Sequence, residues 1–352
     1  MSKMRQFKMR FPSQVLIEGD FRCLIKNLEG KRILVIGSER STALANWEAL
    51  LPKAEVRIFS GSLPHSPIDV FEKALDIAID FSPDTYIAIG SGSAIDLAKA
   101  LSGEKAANIV AIPTSLGGGE MTNVYGIRTH SRTKEGKGGY RFIPSTVIYD
   151  PTLLLTIPFK EMVASAINSF AHCVEAYYST RNHWFGKAAA LSGVQKWLEL
   201  FKAMPSQGEK IEIDFASELF EAASLGGFAI NTCGLGLHHA VCHVVGGETG
   251  ITHGIVNAVV LPKALEVNRN IAPLSILELE KKLAVKDLVE HTKKIIQALQ
   301  LPSSLNEIGF ECSNSEILVE RLLDARQLKF NPGELSPIQA KRLIEGVYSG
   351  AI

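Results

Sequence analysis

The sequence predicts a chain in two parts: an α/β domain with a doubly wound parallel sheet over residues 1–155, then an all-α domain over residues 156–352. Three observations predict it. Short β-branched runs alternate with helix-periodic stretches through the first 150 residues, the pattern of strands covered by helices on both faces. Successive runs stop at a glycine or proline where a helical stretch takes over. From about residue 158 the strand-like runs give way to long amphipathic stretches, broken at 205–208, Pro273, Pro302 and 331–337.

In chain order, residues 31–37 (KRILVIG) read as a buried parallel strand. Residues 41–51 (STALANWEALL) have helical spacing, with Ser41 as N-cap. Residues 55–60 form a second strand, and 66–81 a helix started by Pro67 and Asp69. Residues 85–90 (TYIAIG) are a third strand, 94–102 a third helix and 108–113 a fourth strand. Residues 124–128 and 145–149 read as antiparallel strands around a Lys/Gly-rich loop at 132–139.

Composition narrows the function classes. Lys+Arg and Asp+Glu both number 37, so no overall basic field draws in nucleic acid or an anionic membrane. No apolar run approaches the roughly 18 residues of a membrane span. The five cysteines are odd in number and form no C-x-x-C pair, which argues against a disulfide framework or a thiolate zinc site. Reduced thiols and a basic N-terminus without a leader's apolar block predict a cytoplasmic protein. The expected partner is a small molecule, bound in the cleft between the two domains.

Two glycine-rich loops mark that cleft. Gly90-Ser91-Gly92-Ser93-Ala94-Ile95-Asp96 follows a strand and opens a helix. Glycines there let the backbone approach a pyrophosphate, and the helix N-terminus binds its charge. Ile95 stands at the third position of G-x-G-x-x-G, and the loop follows the third strand, so the usual dinucleotide fingerprint is absent. Spacing alone leaves open a plain strand-to-helix turn. A second loop after the fourth strand, residues 113–122 with Thr114, Ser115, Gly117, Gly118, Gly119 and Thr122, favours binding.

Histidines supply the chemistry. His172 lies four residues after Asn168, and His239 and His243 share that spacing, so each pair projects from one helical face. His253 follows ten residues later, after Gly250-Ile251-Thr252. Such a set suits a metal ion or a proton relay; the alternative is hydrogen-bonded histidines in a wet interface. Asn168 is a neutral amide and a poor ligand, so no metal is expected. If one is held, its ligands would be His172, His239 and His253, with Glu248 or Glu175 not singled out by spacing. His238 should point to another face.

Together, G-S-G-S-A-I-D-L-A-K (90–99), I-P-T-S (112–115), N-S-F-A-H-C-V-E-A-Y (168–177) and H-A-V-C-H…T-H-G-I-V-N-A (239–258) resemble the iron-containing alcohol dehydrogenase superfamily, a dehydroquinate synthase-like fold. Within it the chain is similar to the maleylacetate reductase branch, through F-S-G-S-L-P-H-S-P (59–67), the short loop at 112–122, T-V-I-Y-D-P (146–151) and G-L-H-H-A-V-C-H (236–243). The resemblance implies NAD(P)H in the cleft, aromatic-compound catabolism and a homodimer. It places Gly90, Ser91, Gly92, Ser93 and Asp96 around the pyrophosphate, Thr114, Ser115 and Thr122 beside the nicotinamide, and Lys134 at its ribose. Ser38 stands where NAD-preferring members carry Asp, implying use of both NADH and NADPH. An arginine of that branch's N-P-R segment is replaced by Gly333.

The resulting expectation is reduction of an enone or keto acid, such as maleylacetate to 3-oxoadipate, without a metal. His172, His239, His253 and Asn168 would stabilise the enolate oxygen, and His243 would donate the proton. Lys263, Arg128 or Arg141 would bind a carboxylate. The alternatives are a metal-dependent alcohol dehydrogenase or aldehyde reductase on the same fold, and a non-catalytic nucleotide binder.

Overall fold

The computed structural model describes residues 9–17, 19–26, 28, 31–130 and 134–351, the side chain of Lys134 excepted. Its main sheet is built from β1 (Gln14–Ile17), β2 (Arg32–Ile36), β3 (Glu55–Phe59), β4 (Thr85–Gly90) and β5 (Asn108–Pro113). A two-stranded ribbon, β6 (Ile127–Arg128) with β7 (Lys134–Glu135), follows, and β8 (Thr146–Tyr149) completes the main sheet. The order is β1-β8-β5-β4-β2-β3, and every described pairing is parallel.

Helices cover both faces. The N-terminal half contributes α1 (Phe21–Ile25), α2 (Glu39–Thr42), α3 (Trp47–Leu50), α4 (Ile68–Phe81), α5 (Gly92–Glu104) and α6 (Pro151–Leu154). Ile33, Val35, Ile87, Ile89, Val110 and Ile112 pack with Phe21 and Trp47 on one side. Their neighbours Leu34, Ile36, Tyr86, Ala88, Ile109 and Ala111 pack with Val70, Ala74 and Leu101 on the other. With both strand faces buried, the runs are continuously apolar.

The helical half comprises α7 (Phe159–Tyr178), α8 (Trp184–Ala203), α9 (Ile213–Cys233), α10 (Leu237–Thr249), α11 (His253–Ile271), α12 (Pro273–Leu283), α13 (Leu288–Ala298), α14 (Ser315–Leu323) and α15 (Pro337–Ser349). Phe170, Trp197 and Phe220 belong to the same apolar cluster as Tyr86 and Leu101, so the halves share a core. A second cluster joins α10 and α11 to α14 and α15.

Three expectations are corrected. Residues 145–149 are not half of an antiparallel pair: β8 is fully buried and runs parallel between β5 and β1. Both of its faces are buried, as expected of a strand with neighbours on each side and helices over the sheet. The antiparallel partner of Ile127–Arg128 is instead Lys134–Glu135. Residues 41–51 form two short helices, not one. Ser38 caps the first and Asn46 the second, and the Trp47 indole N–H takes the Thr42 carbonyl at 2.7 Å that a continuous helix would give to residue 46. The third helix starts at Gly92, two residues before the expected start.

Candidate active site

The sheet itself locates a crevice. From β2 the chain moves outward to β3 on one side, then returns to build β4, β5 and β8 on the other. The reversal lies between β2 and β4, and such switch points open a ligand crevice at the strands' carboxyl ends. Gly37 and Gly90 sit there side by side: a methyl on Gly37 would stand 2.6 Å from the Ile89 carbonyl. Gly90 adopts φ +146°, a conformation that other residues rarely take.

Helix α5 begins at this edge. Ser91 caps it without a side-chain hydrogen bond; the Ala94 N–H turns back to Ser91 O, and the Gly92 and Ser93 N–H groups are left for a ligand. Ser91 is exposed, Gly92 and Ser93 are partly so, and a methyl at Gly92 would meet nothing within 4 Å. Open space before a helix N-terminus is the cradle that a pyrophosphate requires. Asp96 accepts a hydrogen bond from Gly126 N–H at 3.3 Å, tying the ribbon to α5. Ser38 is partly buried, and its hydroxyl accepts from Ser41 N–H in the α2 cap.

The loop after β5 carries the crevice toward the helical half. Ser115, Gly117 and Gly119 are partly exposed, and Thr114, Leu116, Gly118 and Glu120 between them are buried. Thr114 N–H donates to Gly90 O at 2.9 Å, which fixes the two loops together. Gly119 faces Gly92, and a methyl on Gly117 would stand 4.0 Å from the Asn168 amide nitrogen. Gly118, at φ +70°, packs on Gly227 of α9. Lys99 anchors this loop from beneath. Fully buried, its ammonium donates to Gly119 O at 2.6 Å, Thr122 O at 2.7 Å, Thr122 Oγ1 at 3.0 Å and Val124 O at 3.1 Å. The Thr122 hydroxyl is thereby engaged inside the loop and donates on to Gly119 O. The side chain of Lys134 lies outside the described residues.

The histidines converge. His172 stacks on His239 with ring centroids 4.6 Å apart, and His253 lies 5.9 Å from His239. His243 lies 6.2 Å from His239 and 5.8 Å from His253. Asn168 Oδ1 lies 3.1 Å from His239 Nε2. His65, whose role the sequence did not disclose, reaches over from the loop before α4: its Nε2 lies 3.3 Å from Ile251 O, two residues before His253.

Behind His239 sits Glu175, fully buried. Its Oε2 lies 2.6 Å from His239 Nδ1, and its Oε1 accepts the His238 N–H at 2.8 Å. A carboxylate at the N-terminus of α10 both satisfies a free amide and meets the helix dipole. Burial pushes the Glu175 carboxyl up, opposed by His238 and by the amides of Gly236, His238 and His239. Burial also holds His172 well below the ordinary imidazole range, helped by charge on His239, and brings His238 down to about 3. His238 Nε2 lies 3.1 Å from Asn257 O, so this neutral ring carries its proton there. His238 thus turns its Nε2 toward α11, while its Nδ1 stays 3.1 Å from His239 Nδ1.

Metal donors can be tested directly. Among the described residues, Glu175, His238 and His239 form the one group of three donors lying within 4.8 Å of one another. Those atoms already bond to each other: His239 Nδ1 contacts both Glu175 Oε2 and, at 3.1 Å, His238 Nδ1. On the other edge, the Asn168 carbonyl faces His239 Nε2, where a donated proton satisfies both atoms.

Of the proposed carboxylate binders, Lys263 is buried, donates to Ser303 O at 2.6 Å and is brought by burial down to about 8. Arg141 stacks over Phe142. Neither belongs to the histidine cluster. At Gly333 a methyl would stand 2.7 Å from Ile271 O, so a side chain has no room there.

Residues 18–151 match the family described as iron-containing alcohol dehydrogenase, and residues 162–348 match the C-terminal part of the Fe-containing alcohol dehydrogenase family. A maleylacetate reductase of Pseudomonas sp. strain P51 is 30% identical over 328 residues, 93% of this chain and 92% of that protein. An iron-containing alcohol dehydrogenase of Corynebacterium glutamicum superposes with a TM-score of 0.85 at 28% identity, covering 99% of this chain and 98% of that one. A maleylacetate reductase of Agrobacterium tumefaciens shares the fold, with a TM-score of 0.83 at 24% identity and 99% coverage of both chains.

Proposed function

The chain belongs to the iron-containing alcohol dehydrogenase family, and from that premise we propose that it reduces a conjugated keto acid of the maleylacetate type without a divalent metal. It is an NAD(P)-dependent oxidoreductase, similar over most of its length to maleylacetate reductases. One observation carries the proposal: an imidazole cluster at the crevice, with a carboxamide, Asn168, against His239 Nε2. A divalent ion wants an anionic ligand in that place. The sole carboxylate of the cluster, Glu175, instead lies behind His239 and is bonded to it. A neutral amide in that place favours chemistry carried by the imidazoles themselves.

When bound, NAD(P)H would supply the hydride that the alkene carbon β to the substrate ketone takes up. The residues of α5's N-terminus and the loop at 113–119 would hold the cofactor. Gly90, Ser91, Gly92 and Ser93 would take the pyrophosphate, and Thr114 and Ser115 the nicotinamide side. Asp96 and Thr122 serve by bracing the ribbon and the loop. As the alkene electrons move to the ketone oxygen, charge develops on an enolate. His253, His172 and the Asn168 amide N–H would donate hydrogen bonds to it, while His239, bonded to Asn168 and Glu175, would act through its positive charge, which Glu175 stabilises. His243 would deliver the proton that the α carbon takes up.

Ser38, in place of an acidic residue after β2, supports binding of both NADH and NADPH. We also propose a division near residue 155, and a homodimer acting in aromatic-compound catabolism.

The test is cofactor oxidation with maleylacetate and with simple aldehydes, before and after chelation, beside metal analysis of the protein. Maleylacetate turnover unaffected by chelator is the expected result. Aldehyde turnover that is lost to chelator and restored by iron or zinc would replace the proposal with the metal-dependent reading.

A further inference from the structure

We infer that Gln327 is a positioning residue that decides which ring nitrogen of His243 carries the proton. The inference rests on the proposed role of His243 and extends it to a residue 84 positions away in sequence. Gln327 Nε2 lies 2.7 Å from His243 Nδ1. An amide nitrogen only donates, so Nδ1 accepts through its lone pair. A neutral imidazole has one proton, which is then on Nε2, the nitrogen remote from Gln327. On that tautomer Nε2 carries the proton that His243 is proposed to deliver.

The amide is held on the frame that carries the ring. Gln327 sits on the 3₁₀ turn Arg326–Phe330. The Phe330 carbonyl accepts Thr180 N–H at 2.9 Å. Asn331, buried, ends the turn with a full set of bonds. Its Oδ1 accepts Leu237 N–H at 3.2 Å and Asn268 Nδ2 at 3.1 Å, and its Nδ2 donates to Asn268 Oδ1 at 2.8 Å and Gly333 O at 3.0 Å. Leu237 is the first residue of α10, the helix that bears His243. His243 and Gln327 are both only partly buried, so water could satisfy Nδ1. Burial therefore does not require the amide, and its place against Nδ1 is set by the turn that carries it.

The experiment reads the tautomer by ¹⁵N NMR of histidine-labelled protein, with kcat and KM measured beside it, for wild type, Gln327→Met and Gln327→Glu. Met keeps the length without a donor; Glu offers only acceptors and draws the proton to Nδ1. Wild type should show His243 as the Nε2–H form. The Met variant should give a mixture and the Glu variant mainly Nδ1–H, with unchanged KM for NADPH and kcat lowered roughly 10- to 100-fold, a fraction of what general acid catalysis supplies. A wild-type Nδ1–H form, or a tautomer indifferent to both substitutions, would overturn the inference. Tautomers that shift as stated while kcat stays constant uphold the positioning by Gln327 and remove His243 from the proposed mechanism.

Discussion

Gly118→Ala should loosen the junction between the cofactor loop and the helical half. Gly118 adopts φ +70°, and a methyl there would stand 2.9 Å from Gly227 Cα and N and 3.0 Å from Ala223 O. These are backbone atoms of α9, which cannot rotate aside. The left-handed conformation costs an alanine about 1–2 kcal/mol. Forcing a methyl into a packed contact adds about 1–3 kcal/mol. The sum, about 2–5 kcal/mol, should appear as a lower urea midpoint with weakened NADPH binding, since the same loop lies against Gly92. Gly227→Ala places a methyl 2.1 Å from Gly118 O, so it opens the same contact from the other side. The double variant should then cost less than the two single losses added together, because one separation makes room for both methyls. A loss below about 0.5 kcal/mol for Gly118→Ala, with unaltered cofactor affinity, would refute the reasoning, because surface positions without such constraints fall in that range.

Other outcomes follow from neighbouring features. Gly92→Val should leave urea stability nearly unchanged, because nothing lies within 4 Å of the added carbon, yet weaken NADH binding by about tenfold or more; retained affinity would mean the cradle is elsewhere. Glu175→Gln removes the anion behind His239 and sets an amide N–H against a donor, so stability should fall by about 1–3 kcal/mol and kcat should fall with it. Unchanged turnover would confine Glu175 to a packing role. His172 and His238 are held below the ordinary imidazole value in the folded protein, so the unfolded chain takes up protons first as pH falls. Stability should be level above about pH 6.5 and decline below it, by up to about 1.4 kcal/mol per pH unit for each ring. Equal urea midpoints at about pH 7.5 and about pH 5 would contradict the neutral assignment.

The sequence disclosed features whose cause is local. The strands at β2, β4 and β5 are runs buried on both faces, and their composition shows it without reference to partners. The i, i+4 pairs Asn168–His172 and His239–His243 were likewise legible, because helical geometry alone sets them on one face. β1 was not seen: its four residues pair only with β8 and are largely exposed, so neither length nor burial marks them. The sense of β8 depends on which strand it joins, a tertiary matter that TVIY does not encode by itself. Glu175 follows His172 by three residues on the same helix, a spacing that could have drawn attention to it. Lys99 stood inside a recognised motif, but its four acceptors lie 20 to 25 residues onward in a loop of no fixed period. Gln327 meets His243 through tertiary packing and the clamp at Asn331, and no pattern of spacing reports such a meeting.

The outermost strand has a consequence for biosynthesis. Gln14 lies in register with Thr146, so β1 has no neighbour in the sheet until β8 emerges from the ribosome. The growing chain must carry that segment unpaired through the synthesis of every other strand, and long-range closure of this kind is slow. A nascent chain stalled before residue 146 would expose β5 as a bare rim, open to pairing with any other extended polypeptide.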